Sequence, residues 1–262
     1  AAAGRSANDV DLIIVATSTP DYIFPSTAAL LQKKLGITNG APAFDVQAVC
    51  SGFVYALTVA EKFIRSGSHQ CALIVGSEVF SRIMDWSDRG TCVLFGDGAG
   101  AAILCRAESG SRIHAAKSVT LPEGVDYCRI RSGGTRYHRR GTNHHADALF
   151  EMRGRPLFAL VARHLPDFVT ALLAEAEVDR SEIHWFIPHQ ASRQALEHVA
   201  KMLGFDDGRM VDVFSEFGNQ VGASLPTALH YAIERYGMKR GDKALLLGSG
   251  AGVSLGGIVF TY

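Results

Sequence analysis

Short apolar runs alternate with amphipathic segments along most of this chain, and the alternation predicts buried strands separated by helices. The predicted strands cover residues 11–16, 44–49, 71–76, 92–95, 99–105, 113–119, 183–188, 211–214 and 243–247, with a last strand ending at Phe260. The predicted helices cover residues 26–35, 50–65, 156–176, 191–203 and 225–236. The turn at residues 96–98 predicts a hairpin between the strands on either side of it. Strands that alternate with helices favour mainly parallel sheets covered by helices, which is an α/β fold.

The same order of elements occurs twice in the chain. Residues 14–16 correspond to residues 186–188, and residues 72–77 correspond to residues 244–249. The strand and helix around Cys50 correspond to the strand, loop and helix around Asn219. The offset of about 170 residues is too long for a solenoid and indicates a duplicated strand–helix unit. We therefore predict two similar halves, residues 1–106 and residues 107–262.

The two halves differ at their beginnings. The second half contains a strand and a long helix before Ile183, whereas only ten residues precede Asp11. If the halves are similar, one strand and one helix, roughly 50–60 residues, are expected ahead of the first residue. A truncated protein and an N-terminal segment that this sequence does not include are both open explanations.

The composition excludes several classes of function. The chain has 262 residues, is 47% hydrophobic and carries no net charge, which is typical of a packed globular protein and not of a nucleic-acid-binding domain. No apolar run reaches about 18 residues, the length that spans a membrane, and the first residues lack a signal-peptide core. The five cysteines are odd in number and form no CxxC pair, so we expect reduced thiols in the cytoplasm and neither a disulfide framework nor a zinc site.

The strand-to-helix junction at Cys50 is the first candidate for chemistry. Backbone N–H groups and the helix dipole at a helix N-terminus favour negative charge, so we expect a lowered thiol pKa and a nucleophilic sulfur. A cysteine that only packs in the core is the alternative. His189 and Asn219 lie at equivalent strand ends, where α/β proteins bind ligands. The three side chains would supply a nucleophile, a proton shuttle or oxyanion donor, and a second neutral donor, and the glycine-rich turn at residues 248–252 would add backbone N–H groups.

Five motifs, taken together, resemble β-ketoacyl-acyl-carrier-protein synthase III, a family of condensing enzymes. They are the Cys50 stretch at residues 44–53, Pro188-His189-Gln190-Ala191, Gly218-Asn219 with residues 223–226, residues 95–101, and the glycine-rich turn near the C-terminus. Their order and spacing match the family from about residue 11 to residue 260. The resemblance implies the thiolase fold, with two similar halves, a five-layered α-β-α-β-α stack and a homodimer.

The resemblance also implies a reaction. Cys50 takes an acyl group from acyl-CoA as a thioester, and His189 and Asn219 then hold the thioester carbonyl of malonyl-acyl-carrier protein. Decarboxylation gives an enolate that attacks the Cys50 thioester and releases 3-ketoacyl-acyl-carrier protein and CO2, the first condensation of fatty-acid synthesis. Preorganised neutral donors suit the charge that develops on the enolate oxygen. Neither a metal nor a redox cofactor is expected, and the CoA thioester is a substrate.

The resemblance assigns supporting roles to further positions. By this resemblance, Arg89 stacks on the CoA adenine, and Phe24 crosses the dimer interface and caps the partner's acyl pocket. Phe95 and Phe158 line the substrate tunnel, Gly154 lies beside the pantetheine arm, and Ala191 belongs to the substrate-binding set. The backbone N–H groups of Cys50 and Ala251 face the oxyanion. A solvated surface arginine is the alternative for Arg89, and core packing is the alternative for the two phenylalanines. The His-rich residues 138–145 indicate a mobile surface loop more than a metal site.

Other functions on the same fold remain open. A degradative thiolase needs a second catalytic cysteine near the C-terminus, whereas the last cysteine here is Cys128. A role like that of HMG-CoA synthase would use a general-base glutamate, and Glu216 lies near Asn219, but Asn219 itself favours the synthase III family. A condensing enzyme of specialised, polyketide-type metabolism shares the Cys-His-Asn set. The non-enzymatic alternative is an inactive homologue that acts as an assembly partner.

Overall fold

Strands and helices alternate along the chain in a computed structural model that describes residues 3–107, 110–135, 145–205 and 208–262. The strands are β1 (Leu12–Ala16), β2 (Ala43–Val46), β3 (Cys71–Glu78), β4 (Gly98–Cys105), β5 (Arg112–Thr120), β6 (Cys128–Ile130), β7 (Phe150–Met152), β8 (Trp185–Pro188), β9 (Lys243–Gly250) and β10 (Ser254–Thr261). The α-helices are α1 (Thr27–Leu35), α2 (Gly52–Arg65), α3 (Gly154–Ala176), α4 (Arg193–Leu203), α5 (Phe214–Phe217) and α6 (Ser224–Glu234).

Polar side chains and glycines define where helices α1 and α4 begin and end. The Ser26 and Ser192 hydroxyls each accept a first-turn N–H at 3.2 Å. The carboxylate of Asp45, on β2, accepts two more N–H groups of α1 at 2.7 and 2.8 Å, which ties this helix to the first sheet. Gly36 and Gly204 end the two helices in the left-handed conformation that glycine adopts without strain.

Each half of the chain forms one four-stranded sheet. The first has the order β2-β1-β3-β4, in which β1 is parallel to β2 and β3, and β4 is antiparallel to β3. The second has the order β5-β10-β9-β8, in which β8 and β9 are parallel and β10 is antiparallel to both neighbours. The predicted boundary at residue 106 falls between the last strand of the first sheet and the first strand of the second.

Alternate residues of the central strands face opposite sides, which divides the core into layers. In β1, Ile13 and Val15 pack against α1, whereas Ile14 faces α2 and α6. In β9, Leu246 faces the same two helices and Leu245 packs toward α3 and α4. The order α1, first sheet, α2 with α6, second sheet, α3 with α4 is the five-layered stack that the resemblance implies, and this prediction is confirmed.

The predicted hairpin around residues 96–98 is wrong. β4 begins at Gly98 and pairs with β3, not with residues 92–95. Residues 91–94 form a turn in which the Leu94 N–H donates to the Thr91 carbonyl at 2.9 Å, and Phe95 makes a single bridge with Asn219. A run of four apolar residues does not by itself distinguish a strand from a turn.

Two further predicted strand segments are also wrong. At residues 211–214 the chain makes no strand, and it enters α5 because the Asp212 carboxylate accepts the Phe214 N–H at 2.9 Å. β2 ends at Val46 and not at residue 49, since Val49 has a φ of 49°, which lies outside the extended region of a strand.

The helix α3 is long and apolar enough, by length and composition alone, to cross a membrane, although charged residues interrupt its apolar sequence. In the structure its side chains Leu165, Phe168 and Leu172 are buried against the second sheet, and Arg163 and Asp167 are exposed. α3 therefore serves as the outer core helix of the second half.

Candidate active site

The turn that carries Cys50 joins β2 to α2. It is a single 3₁₀ turn over Val49–Ser51, closed by a hydrogen bond from the Ser51 N–H to the Ala48 carbonyl at 3.0 Å. Val49 enters it with a φ of 49°, which costs a β-branched residue about 1–3 kcal/mol. The turn is supported from the second half, because the Ser254 and Ser51 hydroxyls lie 3.1 Å apart. Contacts from both halves therefore hold Cys50 in the turn that directly precedes α2.

The turn that follows Asn219 has the same form. Val221 has a φ of 51° and begins a 3₁₀ turn over Val221–Ala223, directly before α6. The Asn219 amide is oriented by this turn, because its Oδ1 accepts the Val221 N–H at 2.9 Å. Its Nδ2 donates to the Ala191 carbonyl at 3.4 Å, which is a long bond and leaves donor capacity for a ligand.

His189 follows β8 directly, and its backbone N–H donates to the Leu247 carbonyl at 2.7 Å. The imidazole is buried, and among the described residues its Nδ1 has no hydrogen-bond partner. Burial lowers the pKa of His189 to about 4, so the ring is neutral at physiological pH. Burial of an unpaired polar atom is costly, and the protein accepts this cost at a residue that lines a cavity.

One cavity of about 520 Å³ is lined by Cys50, His189 and Asn219 together. The structure therefore brings the three predicted side chains to the same place, although their catalytic roles remain predictions. Five of the supporting positions also line this cavity, namely Phe95, Gly154, Phe158, Ala191 and Ala251.

The remaining two predicted positions lie elsewhere. Arg89 is exposed in the turn between β3 and β4 and does not line the cavity. Phe24 is 83% exposed beside Ile23, and it does not line the cavity of its own chain. Contact with the adenine of CoA and with a partner subunit remain predictions for these residues.

The thiol of Cys50 does not have the lowered pKa that its position predicts. Desolvation by burial raises the pKa of Cys50, and the nearby carboxylate of Glu78 adds to the effect. Burial in a low-dielectric site outweighs the field of one helix end here. Cys50 is therefore a protonated thiol in the resting protein, and a base must accept its proton during attack.

Two aromatic residues that the sequence does not single out complete the wall beside Cys50. The ring of Phe80 stacks on Phe95 with centroids 4.8 Å apart, and Phe150 packs edge-on against both at 5.0 and 5.3 Å. All three rings line the cavity. They come from three segments far apart in the chain, and no local pattern indicates that they meet.

No cluster of three or more His, Cys, Asp or Glu side chains that could hold a metal occurs among the described residues. The His-rich segment of the sequence lies largely at residues 136–144, outside the described residues. All five cysteines are free.

The buried imidazole predicts a pH-dependent stability. The pKa of His189 is about 4 in the folded protein and about 6.5 in an unfolded chain, so between these values only the unfolded chain binds the proton. Its contribution is therefore complete above about pH 6.5 and is lost as the pH falls toward 4. We expect the wild type to lose about 2 kcal/mol more unfolding free energy between pH 7 and pH 4.5 than the His189→Asn variant, measured by urea unfolding. The exposed residue His230 gives the control, since His230→Asn should lose as much as the wild type, and equal losses in all three proteins would contradict the prediction.

Comparison with known proteins identifies the class. Two family models match the chain, 3-oxoacyl-[acyl-carrier-protein] synthase III over residues 44–121 and its C-terminal model over residues 173–262. β-Ketoacyl-[acyl-carrier-protein] synthase III of Neisseria meningitidis serogroup A is 42% identical over 269 residues, covering 100% of this chain and 80% of that protein. The crystal structures of synthase III from Aquifex aeolicus VF5 and Thermus thermophilus are 37% and 33% identical, with TM-scores of 0.90 and 0.89. They match 99% and 97% of this chain and 80% and 78% of their own chains.

The fold, the cavity and these matches define an acyl-transferring condensing enzyme with a thiolase-like fold. Within that class, the chain belongs to the 3-oxoacyl-[acyl-carrier-protein] synthase III family. It is a condensing enzyme of the initiation of fatty-acid synthesis.

Proposed function

We propose that the enzyme transfers an acyl group from acyl-CoA to Cys50 and then condenses it with malonyl-acyl-carrier protein. The observation that carries this proposal is the single cavity that Cys50, His189 and Asn219 line together. A nucleophile and two neutral hydrogen-bond donors around one space are what acyl transfer followed by decarboxylation requires.

In the first step the Cys50 sulfur attacks the thioester carbonyl of acyl-CoA, and the bond from that carbonyl to the CoA sulfur breaks. The Cys50 proton leaves during attack and ends on the CoA thiol. The neutral His189 ring, which lines the same cavity, is the base that we assign to this transfer. The backbone N–H groups of Cys50 and Ala251 would stabilise the oxyanion.

Gly250 allows β9 to pack closely against the backbone of the Cys50 turn. A Cβ at Gly250 would lie 3.1 Å from the backbone nitrogens of both Cys50 and Ser51, a tight contact that the neighbouring backbone would have to relieve. The absence of a side chain at residue 250 therefore preserves the position of these N–H groups.

In the second step the malonyl group loses CO2, and the electron pair of the broken C–C bond forms an enolate. His189 and the Asn219 Nδ2 donate to its oxygen. The enolate carbon attacks the Cys50 thioester, the Cys50 sulfur leaves as a thiolate and takes up a proton, and 3-ketoacyl-acyl-carrier protein is released. Carbon dioxide and the thiolate are released without an external oxidant or reductant, so the step as written uses neither a metal nor a redox cofactor.

The lining of the cavity supports an assignment of its two sides. We assign the acyl chain to the aromatic side formed by Phe80, Phe95 and Phe150, because burial of CH2 groups there gives about 0.8 kcal/mol each. We assign the pantetheine arm to the side formed by Gly154, Phe158 and Ala191, and the CoA adenine to Arg89.

A homodimer and a cytoplasmic location belong to the same proposal. Tyr22, Ile23 and Phe24 are 61%, 83% and 83% exposed in consecutive positions, and such a patch of large apolar side chains supports a protein interface. Five free cysteines support a reducing compartment.

A reconstituted condensation tests the proposed function. The enzyme would be incubated with a set of acyl-CoA esters and with either malonyl-acyl-carrier protein or malonyl-CoA, and the products would be weighed by mass spectrometry. We expect 3-ketoacyl-acyl-carrier protein and CO2 only with the carrier-protein substrate. Products built on malonyl-CoA alone would favour a polyketide-type enzyme, and no product with any pair would favour an inactive homologue.

A further inference from the structure

Glu78 is a buried carboxyl group that the mechanism above does not use. It is the last residue of β3, is 2% exposed and does not line the cavity. Its carboxylate accepts the Ser18 N–H at 3.1 and 3.2 Å, the Ser18 hydroxyl at 2.9 Å and the Thr19 hydroxyl at 2.9 Å. A glutamate is almost never fully buried without such compensation, so this position needs a physical reason.

The internal repeat relates Glu78 to the active site. The offset that aligns Ala72 with Ala244 also aligns Cys50 with Gly222 and Glu78 with Gly250. The structure supports this alignment, because the two 3₁₀ turns over Val49–Ser51 and Val221–Ala223 both begin at a valine with positive φ. Each half therefore has one strained turn at the N-terminus of a buried helix.

Each turn packs against a residue from the other half of the chain, but the two residues are of different types. A Cβ at Gly250, on β9 of the second half, would crowd the backbone of the Cys50 turn in the first half. A Cβ at Gly222, in the second half, would lie 2.9 Å from Glu78 Oε1 on β3 of the first half and 3.2 Å from the Val49 carbonyl oxygen. A glycine without a side chain packs against the first turn, whereas a carboxylate packs against the second.

The Glu78 carboxylate contacts two segments, the residues that follow β1 and the turn over Val221–Ala223. It holds Ser18 and Thr19 after β1, and the Gly222 N–H favours its ionised form. Gly222 in turn lies in the turn whose Val221 N–H orients the Asn219 amide. The Val49 carbonyl, next to Cys50, approaches the same Gly222.

We propose that Glu78 is a positioning residue, whose buried carboxylate fixes the turn over Val221–Ala223 and thereby aims the Asn219 amide at the substrate oxygen. The inference rests on the proposed role of Asn219 in decarboxylation. Glu78 acts through Asn219, so it affects the decarboxylation step more than the acylation of Cys50.

The test compares the two partial reactions in the Glu78→Gln variant, which keeps the shape of the side chain and removes the charge. Burial raises the pKa of Glu78 to about 7, so assays at about pH 8.5 keep the wild-type carboxyl ionised. We expect decarboxylation of malonyl-acyl-carrier protein to fall at least about tenfold in kcat, with little change in KM, because a misaimed donor acts in the transition state. Acylation of Cys50, followed by intact mass, should change less than about threefold.

Glu61→Gln is the matched control, because Glu61 is also buried but lies on α2, where it pairs with Lys62 and Arg65. It should leave the ratio of the two partial reactions unchanged, whatever stability it loses. Ser18→Ala removes a hydroxyl that donates to the Glu78 carboxylate at 2.9 Å and should reproduce the selective loss, so it keeps the proposal testable if the Glu78→Gln protein does not fold.

Failure of the inference is distinguishable from failure of the proposed function. A wild-type enzyme that acylates but never decarboxylates the malonyl substrate would refute the function. If the wild type is active, parallel losses of both partial reactions in Glu78→Gln would overturn the role of Glu78. The absence of any loss in both variants would overturn it as well.

Discussion

Cys50→Ser is expected to abolish acylation of the protein by acyl-CoA, with a loss of at least about a thousandfold in rate. A hydroxyl in the same position is a much weaker nucleophile than a thiol, and the buried site raises the cost of ionising either group. The measurement is intact-protein mass after incubation with an acyl-CoA ester, because a thioester on Cys50 adds the mass of the acyl group.

Cys128 provides the control for this prediction. It is a free, buried cysteine that lines the same cavity, and its pKa is raised to about 11 by burial. Cys128→Ser should acylate at nearly the wild-type rate. Acylation that persists in Cys50→Ser and disappears in Cys128→Ser would show that the nucleophile is assigned to the wrong sulfur.

Much of the fold follows from local signals that do not depend on tertiary structure. Helix α1 is predictable because its apolar spacing lies between a serine cap at Ser26 and a left-handed glycine at Gly36. The two similar halves are predictable because the same order of elements occurs twice, whereas the order of the five layers is predicted by the resemblance to the synthase III family. The equivalent places of Cys50, His189 and Asn219 in this repeat predict that their side chains meet. In the structure all three line one cavity.

The features that the sequence does not reveal depend on contacts between distant segments. Phe80 and Phe150 carry no motif, and each acquires its place only when the turn after β3 and strand β7 pack against Phe95. The raised pKa of Cys50 has the same origin, since desolvation by the surrounding fold outweighs the local helix field. In the sequence, Glu78 is an ordinary polar residue beyond the predicted strand at residues 71–76, and only its burial against Gly222 distinguishes it.

His189→Ala and Asn219→Ala are each expected to separate the two halves of the reaction. Both variants should lose decarboxylation of malonyl-acyl-carrier protein by about a hundred- to a thousandfold, because each removes a preorganised donor to the enolate oxygen. Asn219→Ala should still acylate Cys50 at close to the wild-type rate, since its amide has no part in the first step. His189→Ala should acylate more slowly, since the imidazole also accepts the thiol proton, and the size of that loss measures its contribution as a base. The rates of CO2 release and of acylation are measured on the same samples, with His230→Ala as a surface control that should match the wild type in both.

The double variant decides whether the two donors act as a pair. If both bind the same enolate oxygen, the loss in His189→Ala/Asn219→Ala should be smaller than the product of the single losses, because the second removal acts on a site that no longer positions the substrate. Fully multiplicative losses would indicate two independent roles. Normal decarboxylation in both single variants would refute the assignment of the enolate to this side of the cavity, and it would leave the long Asn219 Nδ2 bond without a functional explanation.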